Sequence, residues 1–225
     1  MRKCNVCDYD MDIDKCKVLR TMCQFTNTEI VRHVCPCCDV IFGPLYMIDM
    51  PFLELMDTYG QLYKTYGEGN TTSFEVETAR RILGQKDGIY LNFGCGKWSG
   101  SMDTLRAEGY NVIGYEPCPE ASSEKAVGNK LENLKAMFDG IYSHNVMEHL
   151  QRPLETMKTL KGMLNPHARM AHSTNCYRYT HEHSRWHLFF FVGKSVDFLC
   201  EKCGLEICDR SMDDVPFVSF RAKTS

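Results

Sequence analysis

Cysteine is concentrated at one end of this chain. Of thirteen cysteines, Cys4, Cys7, Cys16, Cys23, Cys35, Cys37 and Cys38 fall within the first 38 residues. Cys4-x-x-Cys7 and Cys35-x-x-Cys38 are pairs separated by 27 residues. Two such knuckles can bring four thiolates to the corners of a tetrahedron, the ligand set of a structural zinc ribbon. Cys16, Cys23, Cys37 and His33 are alternative ligands, and reduced thiols holding no metal are the plainer account. Met1 is followed by Arg2, Lys3 and Cys4 rather than by an apolar run. No secretory leader is therefore expected, and metal binding is favoured over a disulfide framework because reducing compartments keep thiols free. The scattered Cys95, Cys118, Cys176, Cys200, Cys203 and Cys208 read as small buried hydrophobes.

A second constellation begins at Phe93-Gly94-Cys95-Gly96-Lys97-Trp98-Ser99-Gly100. Glycines in a turn between a strand and a helix let backbone approach a ligand closely, and the N–H groups opening the helix face it. The spacing differs from the dinucleotide fingerprint G-x-G-x-x-G. Twenty residues after Gly96, Glu116 ends the apolar run Val112-Ile113-Gly114-Tyr115. A carboxylate there can accept hydrogen bonds from both hydroxyls of a ribose, because adjacent strand ends lie side by side at the switch point of a doubly wound sheet. A surface glutamate ahead of Pro117 is the alternative.

Histidine supplies the third. Seven of the eight histidines lie between His144 and His187. His149 follows one expected strand, His172 ends the next, and His181, His183 and His187 lie in the loop beyond. The carboxyl ends of strands are where an α/β sheet binds ligands, and histidine is the commonest general base at neutral pH. His149 or His172 is the favoured base, with His187 third; a packed structural histidine is the alternative for each. Glu148 and His149 with one later histidine could instead hold a divalent metal ion. Tyr177, Tyr179, Trp186 and Phe189-Phe190-Phe191 share this region. They suit a flat, partly apolar acceptor such as a sugar ring, or are simply core.

The elements that position these groups follow from periodicity. Residues 46–85 read as helical, with Leu53, Met56, Tyr59, Leu62, Tyr63 and Tyr66 on one face and a second helix over 73–83. From Ile89 onward, expected strands at 89–93, 111–115, 134–136, 140–143, 169–173, 205–209 and 216–222 alternate with helices at 101–108, 120–127, 150–164 and 195–203. Strand–helix alternation implies a parallel sheet covered on both faces, and two final strands without a helix between them imply an antiparallel hairpin. The expected fold is α/β, a Rossmann-like, seven-stranded, mostly parallel sheet with an antiparallel C-terminal hairpin, plus a small N-terminal zinc ribbon. The expected organisation is a cysteine-rich module over 1–45, a helical connector or lid over 46–85 and a cofactor-binding domain over 86–225.

Composition narrows the partners. The chain is 44% hydrophobic and 24% charged, with 26 Lys plus Arg against 29 Asp plus Glu and a net charge of −3. A chain of this balance is an ordinary globular protein, without the positive excess of a phosphate-backbone binder. No membrane span is read, and a cytoplasmic setting is expected.

Taken in order, these stretches resemble the class I S-adenosylmethionine-dependent methyltransferases. Leu91-Asn92-Phe93-Gly94-Cys95-Gly96 is similar to their glycine-rich first motif, and Gly114-Tyr115-Glu116-Pro117 to their second, acidic motif. Phe138 through Leu150, ending in Glu148-His149-Leu150, resembles the stretch that carries Glu-His-Leu in many small-molecule members; Arg152-Pro153-Leu154 and Leu160 through Pro166 continue it. The resemblance spans about 89–222. It implies S-adenosylmethionine as cofactor, with Gly94, Cys95 and Gly96 at its amino-acid end and ribose, Glu116 on the ribose hydroxyls and His144 beside the methionine portion. Two positions depart from the pattern: Asn92 replaces an acidic residue, and Pro166-His167-Ala168 replaces Pro-Gly-Gly. The active-site metal variant resembles members with Glu-x-x-Glu-His, whose first glutamate is Asn145 here.

Cysteine pairs ahead of such a domain resemble the layout of sugar methyltransferases. Those that methylate carbon usually carry a further C-terminal domain, and none is expected here with the sequence ending at Ser225, so the resemblance implies O-methylation of a glycan or other small molecule. Two alternatives stay open: an RNA or protein methyltransferase whose ribbon recognises the acceptor, and a zinc-dependent interaction module on a silent fold. Segment 1–50 carries six Lys or Arg against seven Asp or Glu, which counts against nucleic acid.

Overall fold

The cysteine pairs sit in the turns of a small antiparallel structure. The computed structural model describes all residues except 68, 120, 123–130, 132, 133, 135, 136, 179–182, 224 and 225. Strands β1 (Arg2–Lys3) and β2 (Asp10–Met11) flank the first pair, and β3 (Lys17–Met22), β4 (Glu29–Val34) and β5 (Ile41–Phe42) form a meander around the second. Both knuckles fold alike. Cys4 N–H donates to Tyr9 O and Asp8 N–H to Cys4 O, as Cys35 N–H does to Val40 O and Asp39 N–H to Cys35 O. Asp8 and Asp39 take the left-handed conformation, at φ 66° and 68°, which Asp tolerates better than most residues.

Helices α1 (Leu45–Asp49), α2 (Phe52–Tyr63) and α3 (Thr72–Arg80) connect the ribbon to the main sheet. Most of the expected face of α2 turns inward: Tyr59 is buried and Met56, Leu62 and Tyr63 pack against the core. Leu55 and Tyr59, one turn apart, are buried, whereas Leu53 is 77% exposed.

The main sheet is built from β6 (Ile89–Phe93), β7 (Asn111–Tyr115), β8 (Phe138–His144), β9 (Leu164–Ser173), β11 (Leu205–Ser211) and β12 (Phe217–Ala222). Its order is β11-β12-β9-β8-β6-β7, parallel from β9 to β7 and antiparallel at the β11–β12 hairpin and between β12 and β9. Six of the seven expected strands are thus in place. The other, at 134–136, and the expected helix at 120–127 fall largely outside the described residues.

Helices α4 (Ser101–Ala107), α5 (Pro153–Gly162) and α6 (Ser195–Cys203) complete the layers. Pro153 opens α5 three residues later than its apolar spacing suggested, since proline suits the first helical position. β9 begins at Leu164 rather than 169 because its pairing with β8 jumps from Phe138↔Leu164 to Gly140↔Arg169 around a left-handed His167.

One strand, β10 (Phe189–Phe190), pairs antiparallel with β5 and completes the ribbon's four-stranded sheet, in the order β10-β5-β4-β3. Arg32 of β4, 1% exposed, reinforces the join: its Nη2 donates to the carbonyls of Ser184 (2.7 Å) and His187 (3.2 Å), and its guanidinium lies 4.9 Å over the Phe190 ring. Among the described residues no helix is long and apolar enough to cross a membrane.

Candidate active site

The turn after β6 is shaped by its glycines. Gly94 has φ +76°, and a Cβ there would sit 2.5 Å from Val146 Cγ2; Gly96 has φ +53°. Both conformations favour glycine. The amides of Gly94 and Cys95 both donate to Tyr115 O, which ties the turn to the end of β7. Glu116, next in line, accepts from Gly96 N–H at 3.2 Å through Oε2 and from Cys118 N–H at 2.9 Å through Oε1. The carboxylate is therefore held by backbone amides beside the glycine turn.

Helix α3 closes this turn from the opposite side. Thr72 Oγ1 accepts from Gly100 N–H at 2.8 Å, and Thr78 Oγ1 lies 2.7 Å from Ser173 Oγ. Glu75 accepts from Asn92 Nδ2 (3.1 Å), Ser101 Oγ (2.5 Å) and Thr71 Oγ1 (2.6 Å). Phe74 stacks on His144 with ring centroids 5.6 Å apart. His144 Nδ1 lies 2.8 Å from Ser173 Oγ, and burial lowers its pKa to about 4, so the ring is neutral at pH 7.

Gly94, Gly96, Glu116, Glu75, Thr71 and His144 line a cavity of about 450 Å³, together with His149 and an apolar wall of Leu55, Met56, Tyr59, Tyr63 and Trp98. The Tyr63 and Trp98 rings are 4.7 Å apart. The space can take an adenosyl ligand at the glycine turn and an acceptor against the aromatic wall. Gly94, Cys95, Gly96, Glu116 and His144 all face it.

The three histidines expected near the chemistry part company. His149, on a 3-10 turn at Met147–His149, lines the cavity. Its Nδ1 lies 2.9 Å from the Trp186 carbonyl oxygen and 2.9 Å from Tyr59 Oη. A carbonyl can only accept, so Nδ1 carries the proton and the lone pair resides on Nε2. His187 does not line the cavity, but it approaches His149, with centroids 4.9 Å apart, and its Nδ1 lies 3.6 Å from Cys176 Sγ. Burial, then the nearby His149 and Arg32, hold its pKa well below the usual value.

His172 lies elsewhere. It is fully buried, 2.7 Å from Ser143 Oγ and tilted on Phe220, with a pKa lowered to about 3 by burial. It stands one residue short of the end of β9, and the alternation of strand side chains turns it into the core on the face opposite Ser173.

Ligand atoms of Glu148, His149 and His187 come within 4.8 Å of one another. Glu148 is 1% exposed and accepts from Thr174 Oγ1 at 2.6 Å. One carboxylate and two imidazoles form a donor set that a divalent ion accepts.

The same spacing holds for Cys4, Cys7, Cys35 and Cys38. Cys4 Sγ and Cys38 Sγ are 3.9 Å apart, Cys7 Sγ and Cys35 Sγ 3.7 Å. Four sulfurs at a zinc–sulfur distance of about 2.3 Å define a tetrahedron with edges of about 3.8 Å, so the cluster has the dimensions of the ion. The protonated set shows why a cation fits. Hydrogen bonds from Cys38 and Cys4 lower the pKa of Cys35, while desolvation raises that of Cys7 and the hydrogen bond to Cys35 raises that of Cys38. A divalent ion binds cysteines as thiolates and would release these protons.

Three residues of the site escaped sequence reasoning. Glu75 lies on a helix expected over 73–83 with no role attached to its residues, Tyr59 belongs to an expected apolar face, and Arg32 sits among ordinary ribbon residues. The spacing of Thr71 and Glu75, a carboxylate in the first turn of a helix, was the one visible signal.

Residues 75–206 match the family model described as a methyltransferase domain. No curated protein matches the chain's sequence. Among solved structures, one similar chain comes from the complex between the Haloferax volcanii Trm112 methyltransferase activator and a methyltransferase: 12% identity over 76% of this chain and 96% of that one, TM-score 0.57. The CcbJ methyltransferase from Streptomyces caelestis aligns with 12% identity over 73% and 96% of the two chains, TM-score 0.53. The mitomycin 7-O-methyltransferase MmcR aligns with 13% identity over 80% and 60%, TM-score 0.52. At these identities the likeness is one of fold, the α/β sheet with its C-terminal hairpin; the family match covers more than half of the chain, which therefore belongs to the class I S-adenosylmethionine-dependent methyltransferases.

Proposed function

We propose that the chain O-methylates a hydroxyl of a sugar, glycan or other small molecule. Gly94, Cys95, Gly96, Glu116 and His144 hold the cofactor, and His149 is the general base. One observation carries the reading: His149 and the glycine turn line the same cavity, as do the aromatic side chains of Tyr59, Tyr63 and Trp98.

When bound, S-adenosylmethionine supplies an electrophilic methyl group. Alignment of the acceptor with that methyl contributes most of the rate in an in-line displacement, and the aromatic wall is suited to orient a ring. His149 Nε2 takes the hydroxyl proton as the oxygen becomes nucleophilic, while Trp186 O and Tyr59 Oη fix its tautomer. His172, buried away from the cavity, has no part in this step.

Residues 1–45 act as a ribbon holding one structural Zn²⁺ at Cys4, Cys7, Cys35 and Cys38. Residues 46–85 form a connector and lid, and 86–225 the catalytic domain. The ribbon borrows β10 and grips the 184–188 loop through Arg32, which favours a role in shaping the entrance over one in recognising RNA or protein. Thiolate ligation suits a reducing compartment such as the cytoplasm.

A metal-assisted form of the same reaction is favoured by the convergence of Glu148, His149 and His187. Thr174 on Glu148 and Trp186 O on His149 are the outer partners such ligands need. A divalent ion there would hold the acceptor oxygen and lower its pKa.

The test is transfer from labelled S-adenosylmethionine to panels of glycans, small hydroxylated metabolites and RNA, with and without a chelator. Label in a glycan or metabolite supports the reading. Label confined to RNA overturns it.

A further inference from the structure

Glu75 is 6% exposed and lines the same cavity as Gly94, Gly96 and His144. Its hydrogen-bond donors are neutral: Asn92, Ser101 and Thr71. The cations of its own helix, Arg80 and Arg81, pair with Glu108 and Glu77 instead. Among the described residues no salt bridge reaches Glu75. A buried carboxylate is stable only with hydrogen bonds and, preferably, a positive partner. Asn92 and Ser101 both donate to Oε2 and Thr71 alone to Oε1, so lone-pair capacity remains on Oε1.

The ligand of this pocket brings cations. S-adenosylmethionine carries an α-ammonium group and a sulfonium. Glu75 reaches the cavity from α3, next in sequence to Phe74, which stacks on His144, whereas Glu116 reaches it from the residue after β7, where it holds the Gly96 amide. Burial and then the charges of Glu116 and Glu75 push the pKa of Cys95 up to about 12.

Resting on the cofactor reading above, we propose that Glu75 pairs with the α-ammonium group of S-adenosylmethionine, a carboxylate delivered by α3 where β6 offers the neutral Asn92. Asn92 and Ser101 orient the carboxylate, and α3 is held in place by Thr72 on Gly100 and Thr78 on Ser173. Glu75 is a binding residue here; it takes no proton from the acceptor.

A purely structural role, latching α3 onto the turn, makes a different prediction. The discriminating ligands are S-adenosylhomocysteine, which has the ammonium group, and 5′-methylthioadenosine, which keeps the adenosine and thioether but lacks the amino-acid portion. Calorimetric titration of Glu75→Gln is expected to show S-adenosylhomocysteine affinity reduced about tenfold or more, since charge-assisted bonds are worth that much, with methylthioadenosine affinity within about twofold of wild type. Equal losses for both ligands, or none for either, overturn the assignment.

Should Glu75→Gln fail to fold, the E75Q/N92D variant takes its place, returning the negative charge to the adjacent side chain. S-adenosylhomocysteine affinity within about threefold of wild type supports a charge role, and affinity below about a tenth overturns it. Wild-type protein that binds neither ligand overturns the cofactor reading itself. Wild-type binding that Glu75→Gln leaves intact overturns the role of Glu75 alone.

Discussion

Glu116 Oε2 lies 3.2 Å from the amide nitrogen of Gly96, and its Oε1 lies 2.9 Å from that of Cys118. A carboxylate held in this way is oriented before any ribose arrives, so little ordering remains to be done on binding. On the cofactor reading proposed above, removing it would delete two charge-assisted hydrogen bonds to the ribose, and it removes the acceptor of the Gly96 and Cys118 amides. Glu116→Ala is expected to weaken S-adenosylhomocysteine binding by about ten- to a hundredfold, and Glu116→Gln by less, as read by calorimetry. An unchanged Kd would remove Glu116 from the cofactor site.

The Gly94 backbone permits no side chain. Its φ is +76°, and an added Cβ would lie 2.5 Å from Val146 Cγ2 and 3.0 Å from Cγ1. Gly94→Ala is expected to cost about 2 kcal/mol or more of stability, together with cofactor affinity. Val146→Ala in the same chain removes the clashing methyls but not the φ strain, so it should restore only part of the loss in urea unfolding.

Much of this site was legible in the sequence, because its backbone parts have local signatures. The glycines of 94–96 need positive φ and Glu116 ends a strand, so spacing alone brings them together. The thiols at 4, 7, 35 and 38 likewise carry their geometry in two matching turns. What escaped was set by tertiary packing. His172 and Ser173 are neighbours in sequence but face opposite sides of β9, and a one-residue error in the strand end exchanges core for site. The pairing of β10 with β5 joins residues nearly 150 positions apart, for which Phe189-Phe190-Phe191 gives no register. Glu75 reaches Asn92 only through the docking of α3.

The ribbon and the 184–188 loop should fail together. Gly43 N–H donates to Leu188 O, Gln24 N–H to His183 O, and Arg32 to Ser184 and His187. Elemental analysis is expected to find one zinc per chain. Cys35→Ser should lose it and lower Tm by about 10 °C or more. Arg32→Ala should keep the zinc, yet cost about 2–4 kcal/mol by stripping donors from buried carbonyls.

Acid should unfold the protein through its buried histidines. Burial lowers the pKa of His172 to about 3 and that of His144 to about 4, against about 6.5 when unfolded. Between these values the unfolded chain binds more protons than the folded one. Stability is therefore fully present above pH 6.5 and falls as pH drops toward 4 and then 3. His172, fully buried, accounts for about 1.4 kcal/mol per pH unit across that window. Urea unfolding of His172→Gln between pH 6 and 4 should show a slope shallower by about that amount.

His149 separates direct from metal-assisted catalysis. As a base acting alone, it needs Nε2 unprotonated and close to the acceptor hydroxyl. His149→Ala would then lower kcat by about a hundredfold or more, while Kd for S-adenosylhomocysteine stays put and a chelator has no effect. Tyr59→Phe would remove one of the two groups at Nδ1 and leave Trp186 O to hold the tautomer, so its loss should be under about tenfold. If Glu148, His149 and His187 jointly hold an ion, His187→Ala and Glu148→Gln should cost as much as His149→Ala, because each removes a ligand from one centre. Chelation would then abolish turnover, and added Mn²⁺ would return it. His187 does not line the cavity, so a large loss of kcat on its replacement, with stability unchanged, would identify the metal route.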